Sequence, residues 1–303
     1  MSTFLDYVKA AFWVLLLLQF APPLFRGIKH QWGSLSEPKT KIGLVHFKGG
    51  IYSSSKHVKQ LEDFFKDKDI KAIVLKFECI GGAAASSQMI FHELLTLKAQ
   101  YKKPVVALVE NICASGGYYI ASGSDYIIAS PASLVGSIGV YISHPQFKEF
   151  IEQFKIKYDI IKSGAYKGAL NPLLETNPEE RAAIQAITDS TYQQFVSDVA
   201  QQRTTLSANT KKWAEGLIFT GEQALALGLI DELGSQSAVI KKLHALVPFE
   251  GDIDWVVPAV HRGLLQSLFL DEAGEEEADS RLNSFVNGIC NALESRYSNK
   301  VIS

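Results

Sequence analysis

Short apolar segments alternate with amphipathic ones along the first half of this chain, and this alternation is what most restricts the possible folds. The strand-like segments are short and apolar and lie at 42–47, 70–77, 104–109 and 126–129, and the second of them is rich in β-branched residues. The segments between them have the apolar spacing of helices and lie at 55–66, 84–101 and 115–122. Because strands that alternate with helices form parallel βαβ units with right-handed crossovers, the sequence predicts an α/β fold with a parallel sheet and flanking helices.

Two further helices are predicted from their end signals. Asn177 is a good N-cap residue, and it is followed by Pro178 and by two glutamates in the first turn. This pattern predicts a long helix over Pro178–Gln202. A second helix is expected over Gly221–Leu227, and it ends at Gly228 because glycine readily adopts the left-handed conformation of a helix C-cap.

The amino-terminal region is predicted to be a membrane anchor. Residues 10–25 carry no charge, and the preceding residues extend the stretch to the ~20 residues that span a bilayer as a helix. We therefore predict a retained transmembrane helix within residues 1–26 and a polar linker over 27–40. A cleaved signal peptide and a helix lying at the membrane surface are the alternatives. The basic residues after the segment would place the following domain in the cytoplasm by the positive-inside rule.

The carboxyl-terminal region, residues 251–303, differs in character from the body. Residues 271–279 are rich in acidic residues and contain no basic one, which is typical of a solvated linker. Apolar residues from Leu282 to Leu293 then recur at helical spacing. This predicts an amphipathic helix that packs on the body, on a membrane surface or on another subunit.

Composition and missing motifs exclude several classes of function. Hydrophobic residues make up 47% of the chain, which supports a buried core, and the net charge of −2 gives no basic excess for binding nucleic acid. The cysteines Cys79, Cys113 and Cys290 are too widely spaced for a metal site. His92 begins an HExxH-like run, but threonine replaces the second ligand, and P-loop, dinucleotide-binding and GxSxG patterns are absent. We therefore expect no metal and no cofactor.

The strongest candidate site is a serine followed by two glycines at Ser115-Gly116-Gly117. It follows an apolar strand and opens a predicted helix. A serine in this position can act as a nucleophile, and the Gly116 N–H can stabilise an oxyanion. Taken alone, Ser115 could equally be a simple N-cap.

Two other segments support the interpretation of Ser115 as a catalytic residue. Gly81-Gly82 follows the second predicted strand, where glycine lets backbone approach a ligand closely and frees a second N–H donor. Lys167, in the run SGAYKGALNP, is flanked by small and aromatic residues. Burial favours the neutral amine of a lysine, which can then serve as a base. The alternative is an ordinary surface lysine in a loop.

Together these motifs resemble the S49 peptidases, the family of signal peptide peptidase A and SohB. The resemblance rests on residues 114–140, on SGAYKGALNP and on residues 216–234, and it spans roughly residues 41–246. It implies a ClpP/crotonase-like fold in a peptidase domain at 41–250, with Ser115 as nucleophile and Lys167 as general base. It also implies oxyanion donors at Gly82 and Gly116, and a Ser137 that helps to hold the lysine.

The resemblance further implies a membrane-anchored homo-oligomer that cleaves peptides, including released signal peptides, at the bacterial inner (plasma) membrane. The resemblance also implies that the catalytic domain lies on the extracytoplasmic, periplasmic side. We expect this location even though the basic residues after the apolar segment favour the cytoplasm. One departure is the turn Cys79-Ile80-Gly81-Gly82, where the family usually has Ser-Pro-Gly-Gly. The remaining alternatives are a Ser–His peptidase using His144, an inactive membrane scaffold of the same fold, and a crotonase-type acyl-CoA enzyme.

Overall fold

The computed structural model of the protein describes residues 39–258. The strands in this range are β1 (Lys39–Ile51), β2 (Ala72–Gly82), β3 (Val105–Ala114), β4 (Tyr126–Ala129), β5 (Leu134–Gly136), β6 (Ile218–Thr220), β7 (Glu232–Leu233) and β8 (Asp252–Val256). The α-helices are α1 (Ser55–Lys66), α2 (Ala84–Tyr101), α3 (Gly116–Ser122), α4 (Lys148–Gln153), α5 (Pro178–Gln202), α6 (Gly221–Leu227) and α7 (Gln236–Leu246).

The strands form one sheet in the order β6-β5-β3-β2-β1-β8, and β4 branches from β3 to pair with β7. All pairings are parallel except that of β5 with β6, which is antiparallel. The first part of β3 pairs with β4, and its last residues, Ile112–Ala114, pair with β5. The predicted α/β fold with a largely parallel sheet is therefore confirmed.

Local sequence signals predicted the bounds of four of the seven described α-helices. α1, α2, α5 and α6 have the predicted bounds, whereas β1, β2 and β3 each extend beyond the predicted carboxyl end. The start of α5 forms a capping box, in which the Asn177 side chain accepts from Glu180 N at 2.7 Å and the Glu180 side chain accepts from Asn177 N at 3.2 Å. Gly228 ends α6 with φ +81°, in the left-handed conformation expected of a C-cap glycine.

Side chains that alternate along the strands fill two cores on opposite faces of the sheet. One face of β2 contributes Ile73, Leu75 and Phe77 to the larger core, which packs against α1, α2, α3 and α5. The opposite face contributes Ala72 and Val74 to a smaller core that α7 covers. Because helices cover both faces, the central strands are apolar on both sides, and their carboxyl ends are held rigidly.

The structure shifts both predicted boundaries of the peptidase domain. Lys39 and Thr40, which were predicted to belong to the linker 27–40, already lie in β1. At the other end β8 pairs in parallel with β1, so the sheet continues past the predicted boundary at residue 250. The predicted anchor (1–26) and the predicted carboxyl-terminal helix lie outside the described residues. Among residues 39–258, no helix is both long enough and apolar enough to cross a bilayer.

Candidate active site

Ser115 occupies the sharp turn between β3 and α3. Its backbone has φ +51° and ψ −123°, a positive-φ conformation that is rare for non-glycine residues and costs about 1–3 kcal/mol. The turn is held by Ser115 N, which donates to Gly136 O at 2.8 Å, and by Tyr119 N, which donates to Ser115 O at 2.9 Å. The Ser115 hydroxyl makes no capping hydrogen bond to the helix, so Ser115 is not the simple N-cap that the sequence alone allowed.

The glycine turn that ends β2 lies directly against the Ser115 turn. Gly81 has φ +93°, and a Cβ added to it would lie 2.7 Å from Gly116 N and 2.8 Å from Ser115 Cβ. A Cβ added to Gly116 would lie 3.4 Å from Gly82 N. Only glycine allows the two turns to approach so closely, and the approach brings the backbone of Gly82 and Gly116 together beside Ser115.

Ser137 enters the same region from β5. It follows Gly136 and has φ +53°, and its N–H donates to Leu217 O at 2.7 Å. Since Ser115 N donates to Gly136 O, one short strand positions both serines. Ser115 and Ser137, two non-glycine residues with positive φ, therefore lie close together. Residues with strained backbones often cluster at functional sites.

A cavity of about 1200 Å³ opens beside these turns. Four of the five predicted site residues line it: Ser115, Gly82, Gly116 and Ser137. Its wall also includes residues that the sequence did not predict. They are Ala84 at the start of α2, Val140 and Tyr141 after β5, Tyr192 on α5 and Ala214 before β6. The volume is sufficient for several residues of an extended peptide.

Lys167, the fifth predicted residue, is not among those lining the cavity. Its side chain is exposed, and its backbone N–H donates to Gly164 O at 3.1 Å in a turn. The expectation of a buried lysine is therefore wrong for the single chain. The physical reason is that its segment packs little against the sheet, so no element within residues 39–258 covers the side chain.

Residues 141–177, here called the arm, carry Lys167 and expose many large apolar side chains. At its base Phe147 N donates to Pro172 O at 2.6 Å, and Lys148 pairs with Glu175 at 2.8 Å. None of the residues in α4 is buried. The exposed apolar residues of the arm are Tyr141, Ile142, Phe147, Phe150, Phe154, Ile156, Tyr158, Ile161 and Tyr166.

His144, the base in the Ser–His alternative, also lies in the arm and does not line the cavity. Its Nδ1 atom is buried without a hydrogen-bond partner among the described residues. The structure of one chain therefore brings neither candidate base to Ser115.

The unusual turn Cys79-Ile80-Gly81-Gly82 has positive φ at both glycines and contacts the buried thiol of Cys79. Gly81 N donates to Cys79 Sγ at 3.3 Å. Burial raises the pKa of the Cys79 thiol, so the thiol stays protonated and acts as a packing group beneath the turn.

Comparison with known proteins identifies relatives of this chain. Residues 98–250 match the model of peptidase family S49. The protein named "Putative protease slr0021" of Synechocystis sp. is 37% identical over 206 residues, which is 68% of this chain and 74% of that protein. "Putative signal peptide peptidase SppA" of Enterococcus faecium is 33% identical over 192 residues, 63% of this chain and 56% of that protein. "Serine protease SPPA, chloroplastic" of Arabidopsis thaliana is 28% identical over 230 residues, 74% of this chain but 33% of that protein.

Proposed function

From the premise that this chain belongs to peptidase family S49 and is a serine peptidase, we propose that it is a membrane-anchored endopeptidase with a Ser115–Lys167 dyad. The observation that carries the proposal is the strained Ser115 turn, which faces a large cavity beside Gly82, Gly116 and Ser137. No other described serine combines positive φ, a following helix and two abutting glycine turns.

The chemistry follows from this arrangement. The neutral amine of Lys167 takes the proton from the Ser115 hydroxyl, and Oγ attacks the carbonyl carbon of the scissile peptide. The tetrahedral oxyanion accepts hydrogen bonds from the N–H groups of Gly82 and Gly116. The protonated lysine gives its proton to the leaving amine, and water then hydrolyses the acyl-enzyme by the same route in reverse.

A second copy of the chain supplies Lys167 in this proposal. A general base must reach hydrogen-bonding distance of its proton, about 2.6–3.2 Å, and Lys167 does not line the cavity of its own chain. The arm that carries it exposes nine large apolar side chains, and exposed apolar clusters are typical of protein–protein interaction sites. When the arm packs on a neighbouring copy, Lys167 enters the neighbour's cavity and is desolvated there, with Ser137 as its hydrogen-bond partner.

This mode of association has a consequence for the assembly. The arm of one copy contacts the cavity of the next, so the two surfaces in the interface differ. Such head-to-tail contacts generate closed rings when the rotation closes. We therefore propose a homo-oligomer with one active site at each interface.

Peptides are the proposed substrates, including signal peptides after their release. The cavity wall is mostly apolar, which suits the hydrophobic segment of a signal peptide, and one relative is named a signal peptide peptidase. The proposed helix within residues 1–26 anchors the enzyme in the inner (plasma) membrane lipid, with the peptidase domain on the periplasmic side. Carbonate washing should leave the full-length protein in the membrane fraction, and deletion of residues 1–26 should release it.

Labelling with a fluorophosphonate tests the proposal. The purified full-length protein should be modified at a single site, which peptide mapping should locate at Ser115. Ser115→Ala should abolish both labelling and peptide cleavage, whereas Ser197→Ala, an exposed serine on α5, should retain both. Labelling at another serine, or peptide cleavage that persists in Ser115→Ala, would refute the assignment.

A further inference from the structure

We propose that Glu215 makes the enzyme select peptides with a cationic side chain, lysine or arginine, at one position of the bound substrate. The proposal rests on the proposed function, because it takes the cavity beside Ser115 as the peptide-binding site. Glu215 lines that cavity together with Ser115 and Ser137.

Glu215 is the one charged residue among those that line the cavity in the described part of the chain. The other lining residues are apolar side chains, glycines, and neutral hydroxyl and amide groups. Glu215 forms no ion pair with any other residue of 39–258. The cavity therefore has a single unpaired negative charge, and a peptide with a positive charge at the matching position gains a partner there.

The backbone around Glu215 is well fixed. Its neighbours Trp213 and Ala214 are buried, and the Tyr192 hydroxyl donates to Ala214 O at 2.6 Å. On the other side Gly216 N donates to Ile138 O at 2.9 Å, which ties the segment to the chain just after Ser137. The carboxylate is thus presented from a rigid segment close to the catalytic turns, and little ordering is needed to use it for recognition.

Substrate is a better partner for this carboxylate than the incoming Lys167. A carboxylate beside a lysine favours the charged ammonium, whereas the proposed base must be neutral to accept the Ser115 proton. Lys167 and Glu215 would then work against each other if they paired. The negative charge of Glu215 is also opposite to the charge of the proposed substrates, because signal peptides carry positive charges before their apolar segment.

The expected effect is moderate because the Glu215 side chain is exposed in the single chain. Exposed ion pairs contribute little, and partial desolvation by bound peptide increases the contribution somewhat. We expect a preference for lysine over glutamine of about 3- to 10-fold in kcat/KM at the position facing Glu215.

A scan of fluorogenic peptides tests the proposal. Each position of one apolar parent peptide, acetylated at its amino terminus, is replaced in turn by lysine, glutamine or glutamate. kcat/KM is then measured for the full-length wild type, for Glu215→Gln and for Glu222→Gln, an exposed glutamate on α6 outside the cavity. Wild type and Glu222→Gln should prefer lysine at one position, whereas in Glu215→Gln the ratio of kcat/KM for the lysine and glutamine peptides at that position should fall to about one.

Three results would overturn the proposal. One is a lysine preference of the same size in Glu215→Gln and wild type, and another is no lysine preference at any position. The third is a uniform loss of activity in Glu215→Gln on all peptides, which would mean a structural role.

Binding measurements separate this proposal from the proposed dyad. Fluorescence anisotropy of the same peptides on Ser115→Ala and on Ser115→Ala/Glu215→Gln reports recognition without turnover. Tighter binding of the lysine peptide that depends on Glu215 supports the proposal even if the dyad assignment fails. Peptide cleavage that depends on Ser115, with equal binding of lysine and glutamine peptides to Ser115→Ala, refutes the proposal alone.

Discussion

The two halves of the proposed dyad lie in regions of opposite character. The nucleophile turn is enclosed by the sheet and its helices, and all residues of α3 are buried. The arm that carries Lys167 has no buried residue in α4, and Ile161 is completely exposed at 101% of its reference area. The Ser115 turn is fully packed within a single chain, whereas the arm lacks most of the packing that would fix its side chains.

This contrast separates two requirements of catalysis. The proposed oxyanion donors and the proposed nucleophile need fixed geometry, and the abutting turns of Gly81 and Ser115 provide it within one chain. The base needs a desolvated amine, which the arm can provide only after it is covered. Activity should therefore depend on association of the chains, whereas the conformation of the Ser115 turn should not.

Loss of the base should have the largest effect. Lys167→Ala should lower kcat/KM by about 10³-fold or more, because base and nucleophile act as a unit. Lys167→Arg should not restore activity, because guanidinium remains charged and cannot accept the proton. Circular dichroism should show that both variants fold like the wild type, because Lys167 is exposed in the single chain and contributes little to its packing.

The matched variant for this test is His144→Ala, which removes the alternative base from the same arm. It should keep most of the activity. Wild-type-like turnover in Lys167→Ala together with an inactive His144→Ala would favour the Ser–His mechanism instead.

A methyl group at Gly81 should disturb the Ser115 turn, against which Gly81 packs. Gly81→Ala would bring Cβ within 2.7 Å of Gly116 N, so the oxyanion donors must move. Loss of one such donor costs about 10²-fold in kcat or more, and we expect a similar loss here. Kinetics and thermal unfolding would measure the effect.

Gly49→Ala is the matched control for the glycine variant. Gly49 also has positive φ, +72°, but no atom lies within 4 Å of its added Cβ. It should lose about 1–2 kcal/mol of unfolding free energy from backbone strain and no activity. Equal activity loss in both variants would show that the close approach of the two turns is unimportant.

A charge on the arm should have a smaller effect, and one that depends on concentration. Ile161→Asp should weaken association by at least about tenfold, because burial of an isoleucine side chain contributes about 1.5–3 kcal/mol. Activity should recover at high protein concentration, and sedimentation velocity should show smaller species. Leu246→Asp, which changes an exposed leucine at the end of α7, should leave both unaffected. Full activity of Ile161→Asp at high dilution would contradict the role of the arm.

Local signals made part of this structure predictable from the sequence. The capping residues Asn177 and Gly228 fixed one end of α5 and of α6, and glycines next to strand ends located the turns of Gly82 and Gly116. Ser115 is singled out by the two glycines that follow it, whereas the expectation for Ser137 rests on the resemblance to the S49 family. These features depend on residues close together in the chain, so the sequence carries them directly.

The remaining features depend on contacts between distant segments. Strands as short as β5 and β7 have too few residues for a periodic signal, and β8 is recognisable only by its pairing with β1. The α5 wall of the cavity lies far along the chain from Ser115 and has no motif. The environment of Lys167 could not be predicted, because no residue in the described part of its own chain covers it.

Mixing two inactive variants tests the central claim, that Ser115 and Lys167 of one active site come from different copies. Ser115→Ala and Lys167→Ala proteins would be dissociated, mixed 1:1 and reassembled, with mixed oligomers verified by two different tags. Interfaces that join an intact Ser115 to an intact Lys167 should form at about one quarter of the sites, so activity should return to about one quarter of the wild-type value. Verified mixed oligomers that remain inactive would contradict the claim.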